Sequence, residues 1–133
     1  NHMVPTLQLS AREQRQLDRE LSRTLTQACD VAKAEVEGFA WVTHEVQWND
    51  FPASLRVIWI FESNADIARA LKEGWDQRLL ALTDSALRDA EITVKRVEQH
   101  VDLDSEEECL RADAGNWRAR LDRQHGRSLK QKH

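Results

Sequence analysis

The chain has 133 residues, 41% of them hydrophobic and 32% charged. Its 19 Lys and Arg face 23 Asp and Glu, giving a formal net charge of -4 and a pI near 5.7. Such a chain can bury one real core. It is neither collagen-like, nor a disulfide scaffold, nor disordered throughout, and it lacks the basic balance of a general nucleic-acid coat.

Asn1 and His2 read as a cloning remnant ahead of Met3, and residues 1–9 as a disordered start. Residues 10–125 are expected to form a single α+β domain, and residues 126–133 a basic mobile tail. Ser10 to Val36 predicts a long amphipathic helix. Ser10 and Glu13 have the spacing of a capping box, in which each side chain takes an orphan backbone N–H of the other. Leu17, Leu21, Leu25, Ala28, Ala32 and Val36 form its apolar stripe. Gly38 suits the left-handed turn that ends a helix.

Phe39 to Trp48 alternates like a strand, with Ala40, Val42, His44, Val46 and Trp48 on one face and Trp41, Thr43, Glu45 and Gln47 on the other. Asn49 to Ser54 is turn chemistry. Leu55 to Phe61 is apolar on both faces, as a central strand should be. Ser63 or Asn64 then caps a second helix reaching Asp89, with Gly74 inside it as a kink or a close contact. Ile92 to Gln99 is expected to be the third strand. Ser105 and Glu108 repeat the capping-box spacing at the head of a short acidic helix. Ala114-Gly115-Asn116 breaks that helix, and a last helical turn carries Trp117 and Leu121.

The predicted order is helix-strand-strand-helix-strand-helix. It implies a small three-stranded mixed sheet with helices packed on one face. If the second strand is central, the third lies beside it and parallel to it. This order resembles the type II K-homology layout, without a Gly-x-x-Gly loop.

No apolar run approaches the ~20 residues of a membrane span, and no signal peptide is visible. Cys29 and Cys109 are expected to be reduced thiols. A cytoplasmic protein with no membrane partner follows as the expectation.

Chemical motifs are sparse. Asp102, Asp104 and Glu106 alternate like the opening of a calcium loop, but the required Gly and Glu are replaced by Glu107 and Asp113. His44, His100 and Cys109 lack zinc-ligand spacing. No nucleophile elbow, phosphate loop or dinucleotide fingerprint is present. No cofactor, no metal and no catalytic residue is therefore expected.

The charge distribution is informative. Glu98 to Asp113 holds seven acids against Arg111. Arg118 to His133 holds six bases against Asp122. Three accounts fit this pattern: a solvated helix cap followed by a solubilising tail, a tail that shields the acidic patch, or a tail that contacts nucleic-acid phosphates.

The segments Gly38 to His44, Phe51 to Val57, Asp104 to Glu107 with Cys109, and Gly115 to Leu121 resemble a proteobacterial family of about this size. Its members are commonly labelled "Fis family transcriptional regulator". The resemblance implies a transcriptional regulator. Fis itself reads DNA with a C-terminal helix-turn-helix. The C-terminal third here shows no helix pair with a tight turn, so no DNA-contacting residue carries over by position.

The expected function is that of a non-catalytic binding protein that acts through protein–protein contacts, with itself or another protein. Trp41, Trp48, Phe51 and Trp117 are the candidate interface residues. The alternative is nucleic-acid binding through Arg118, Arg120, Arg123, Arg127, Lys130 and Lys132, aided by Arg12, Arg15, Arg19 and Arg23. An enzyme with a dispersed acid/base site, for example His44 with Glu45 or Glu62, is the third reading.

Overall fold

Ser10 opens the first helix as its sequence spacing requires. Its hydroxyl accepts the Glu13 N–H at 3.1 Å, and its own N–H donates to the Glu13 carboxylate at 2.8 Å. The computed structural model describes residues 8–124. The helices are α1 (Ala11–Glu35), α2 (Asn64–Glu73), α3 (Trp75–Asp89), α4 (Glu106–Asp113) and α5 (Trp117–Gln124). The strands are β1 (Phe39–Glu45), β2 (Arg56–Phe61) and β3 (Val101–Ser105). Leu9, placed in the disordered start by its sequence position, packs against the core.

The sheet order is β1-β2-β3. β1 pairs antiparallel with β2, and β3 pairs parallel with it. The apolar strand is therefore central, and the chain is α+β with a three-stranded mixed sheet. Val57, Trp59 and Phe61 face the long helices, where they meet Leu21, Leu25, Ala28 and Ala32 of α1 and Leu79, Ala86 and Leu87 of α3. Trp59 is fully buried, and its indole N–H donates to the Thr83 hydroxyl at 3.0 Å. That hydroxyl in turn donates to the Leu79 carbonyl at 2.8 Å, so no polar group is stranded there.

Strict alternation would put Phe39 on the same face as Trp41. The structure instead has a bulge between them, with Phe39 opposite Phe61 and Trp41 opposite Ile60. Two positions of β1 thus oppose one of β2, which flips the side-chain parity. Phe39 joins the helix-side core, 5.3 Å from the Trp59 ring, while Trp41 lies over the opposite face. β1 also ends at Glu45, and Trp48 to Asp50 form a single 3-10 turn.

The third strand is displaced from its predicted position. Ile92 to Gln99 forms no strand. Ile92 is buried after a turn at Glu91 (φ 60°), and Val97 to His100 is a 3-10 turn. β3 is the sequence Val-Asp-Leu-Asp-Ser. Two aspartates on one face hide a strand from any pattern based on hydrophobicity. They are tolerable there because a later helix supplies a partner for Asp104.

The second predicted helix is two helices. Gly74 takes a left-handed conformation (φ 83°), closing α2 and opening α3. A Cβ at Gly74 would meet nothing within 4 Å, so the backbone angle alone selects glycine there. Gly38 is different. It has φ +84°, and a Cβ there would lie 2.6 Å from Asp66 Oδ1 and 2.7 Å from Asp66 Cβ.

The expected cover on one face is carried by α1 and α3. α5 adds a smaller layer on the other side, where Leu121 and Trp117 close over Ile58 and Ile60. No described helix is long and apolar enough to cross a membrane.

The two glycines make a test. Gly38→Ala should cost about 2–4 kcal/mol, from the left-handed backbone plus the clash with Asp66. Gly74→Ala should cost only about 1–2 kcal/mol, from the backbone alone. Urea denaturation of both variants checks the ordering.

Candidate interaction surface

The parallel arrangement of β2 and β3 sends both strands toward the same end of the sheet, where each runs into a helix. The first turns of α2 and α4 consequently meet. The Ser105 hydroxyl caps α4 by accepting the Glu108 N–H at 2.9 Å. The second half of the predicted box is absent, because the Ser105 N–H donates to Asp104 Oδ1 at 2.8 Å instead. The Glu107 carboxylate accepts the Asn64 N–H of α2 at 2.8 Å. Glu108 accepts from the Asn64 side chain at 3.1 Å and pairs with Arg111. Hydrogen bonds from Arg111 and Asn64 hold the Glu108 carboxyl at about 2, below its ordinary 4.5.

Glu106 organises the aromatic residues on the far face. Its Oε2 accepts the Trp41 indole N–H at 2.7 Å, and its Oε1 accepts that of Trp117 at 2.8 Å. The two rings meet edge to face with centroids 5.2 Å apart, a favourable geometry for aromatic quadrupoles. Both tryptophans are half-buried. They stitch β1 to the α4–α5 corner and leave only part of each ring at the surface.

The α5 arginines meet the acidic block. Arg120 is only 6% exposed. Its Nε and Nη2 donate to Asp104 at 2.7 and 3.0 Å, and its Nη1 to Asp113 at 2.7 Å. Arg123 also pairs with Asp113, while Arg118 donates to Glu45 at 2.8 Å and to Asp122 at 3.0 Å. The Arg120 guanidinium is driven above its ordinary value, first by the hydrogen bonds to Asp104. Hydrogen bonds from Arg123 and then Arg120 hold the Asp113 carboxyl at about 2, below its ordinary 3.8.

The predicted site residues therefore divide. Trp41 and Trp117 come together, although 76 positions separate them in sequence (117 − 41). Trp48 stands apart from them, half-buried against Phe51 with ring centroids 5.0 Å apart. Phe51 is 2% exposed and belongs to the core, so its assignment to an interface is corrected. Arg120 is likewise corrected: a buried guanidinium bound to two carboxylates is not presented to a phosphate backbone. Arg118 and Arg123 are exposed but engaged with carboxylates. Arg127, Lys130 and Lys132 lie outside the described residues.

His44 Nε2 donates to the Asp18 carboxylate of α1 at 2.8 Å, and no hydrogen bond or ion pair joins it to Glu45 or Glu62. Asp104, Glu106 and Asp113, which in the sequence stand out only against a calcium-loop pattern, are the partners of Arg120 and of the two indoles. Their signal was the acidic block standing directly before a basic one. Both cysteines are free thiols, and burial pushes Cys109 up. Among the described residues no group of three His, Cys, Asp or Glu side chains converges as a metal site. Comparison with protein-family models, curated proteins and solved structures finds no match to the chain.

Arg120→Ala should destabilise the fold by about 3–5 kcal/mol, because it leaves Asp104 buried without its cation. Acid should act on the same corner. A carboxyl depressed by folding contributes stability above its unfolded value, and that contribution is lost as pH falls toward the folded one. For Asp113 the window runs from 3.8 down to about 2. Tryptophan fluorescence should report the loosening of Trp41 and Trp117 across that window, and in Asp113→Asn the Asp113 component of the transition should be gone.

Proposed function

We propose that the chain is a non-catalytic binding protein that acts through protein–protein contacts, its first partner being a second copy of itself. The observation that carries this reading is the state of β1. It is an edge strand, and among the described residues its outer backbone row pairs with no other strand. Its sequence, Phe-Ala-Trp-Val-Thr-His-Glu, contains neither the Lys nor the Pro that guards exposed edges. The opposite edge, β3, carries two aspartates. An antiparallel pairing of β1 with its own copy about a twofold axis is self-complementary and continues the sheet. Trp41 and Thr43 share the face of β1 beside that edge.

Nucleic-acid binding is the second reading, and with it the regulator role implied by the family resemblance. What favours it is a stripe on α1. Arg12, Arg15 and Arg19 are exposed and have no ion-pair partner among the described residues. Arg127, Lys130 and Lys132 would act with them. Such binding should fall steeply between about 50 and about 200 mM salt.

Sedimentation velocity from about 5 to about 200 µM checks the first reading, since a weak homodimer populates in that range. A concentration-dependent dimer is the expected result. Thr43→Lys, which places like charges across the twofold, should restore the monomer with little change in melting temperature. A monomer throughout, with labelled duplex DNA or structured RNA bound at low salt, would move the function to the second reading.

A further inference from the structure

The amino ends of β2 and β3 frame a cleft of about 400 Å³, on the end of the sheet away from the α2 and α4 caps. That volume lies within the usual range of small-molecule sites, about 300–1,000 Å³. Its basic lining is Arg56, Lys95, Arg96 and His100, and no carboxylate lines it. Pro52 and Val94 supply an apolar wall.

The basic groups are positioned in different ways. Arg56 is anchored through Nη1 to the carbonyls of Ala53 at 3.2 Å and Leu55 at 2.9 Å. Those partners fix the guanidinium without neutralising it. Lys95 has no carboxylate partner among the described residues. Arg96 is paired with Glu98, at 3.1 and 3.2 Å, outside the cleft lining.

His100 is the unusual member. It is only 6% exposed, and its Nδ1 lies 2.7 Å from the Leu55 carbonyl. A carbonyl only accepts, so Nδ1 donates its proton there and Nε2 is the free ring nitrogen. Nε2 has no protein partner among the described residues, and no buried side-chain nitrogen or oxygen is unsatisfied. That nitrogen therefore opens on the cleft.

Three cations and one unpartnered ring nitrogen suit a small anion that offers several oxygens at once. A carboxylate offers two oxygens and a single charge. A phosphomonoester offers three acceptor oxygens and, at neutral pH, close to two charges, and its ester carries a carbon body for the apolar wall. We propose that this cleft binds a small phosphomonoester, with its phosphate among Arg56, Lys95 and Arg96, one phosphate oxygen against His100 Nε2, and its carbon body on Pro52 and Val94. This site is independent of the β1 edge.

Isothermal titration calorimetry of the full chain tests it with inorganic phosphate, phenyl phosphate and sulfate. Phosphate should bind with a dissociation constant of about 1 mM or tighter. Phenyl phosphate should bind at least about threefold more tightly, through the apolar wall, than either phosphate or sulfate, which lack a carbon body. Arg56→Gln should weaken phosphate binding about tenfold or more. Arg88→Gln, whose arginine pairs with Asp84 outside the cleft, should leave binding unchanged. In the wild type, the His100 ring resonances should shift on phosphate addition, a readout that needs no substitution of that buried residue. The proposal is overturned by any of three results: no binding at about 10 mM phosphate, equal loss in Arg56→Gln and Arg88→Gln, or phenyl phosphate binding no tighter than sulfate.

Discussion

The buried pairing of Arg120 with Asp104 and Asp113 is the constraint on which the far side of this molecule depends. Asp104 stands on β3 beside Ile60, on a sheet face that must be dry for Ile58 and Ile60 to be buried. A carboxylate there is costly unless a cation comes with it. Arg120 arrives from α5, sixteen residues later, and donates two hydrogen bonds to Asp104. The same guanidinium reaches back to Asp113 across the α4–α5 turn. The pair thus fixes α5 against the sheet, and Leu121 follows Arg120 onto Ile58 and Ile60. Of the three accounts of the charge blocks, the intramolecular one describes the α5 arginines.

Glu106 completes that corner. One carboxylate satisfies two indoles that come from opposite ends of the chain. Neighbouring acids do related work at the helix starts, where negative charge meets the dipole and the orphan N–H groups. Glu107 does so for α2, a helix 43 residues away from it in sequence. Members of the acidic run thus tie β1, α2 and α5 together.

The two ends of the sheet differ in chemistry because the parallel pair gives them direction. At the carboxyl ends of β2 and β3, helix caps and acids close the surface on itself. At the amino ends, the 3-10 turn before β3 and the turn before β2 leave a basic cleft with a fixed imidazole. The lateral edge of β1 is different again: its strand has neither Lys nor Pro and meets no further strand among the described residues. The two proposed binding surfaces thus fall at one edge and one end, while α5 covers much of the aromatic face.

Much of the architecture was legible in the sequence because it rests on local rules. Ser10 and Glu13 are three residues apart, so their reciprocal cap depends on nothing else in the chain. The stripe of α1, the two-sided apolar pattern of β2 and the break at Ala114–Gly115 are of the same kind. From these come the element order, the central strand and the parallel neighbour. Other features had no local signature. β3 is invisible until Arg120 makes Asp104 tolerable, and the Phe39 bulge reflects the fit of one ring against Trp59 and Phe61. Phe51 looked like a turn aromatic until the core closed around it. The His100 site needs a carbonyl 45 residues away. Periodicity and caps were determined by residues within a turn or two of one another. The pairing of charges, the parity of β1 and the cleft were decided only by tertiary structure, because each is an energy of contact between groups that the chain brings together late.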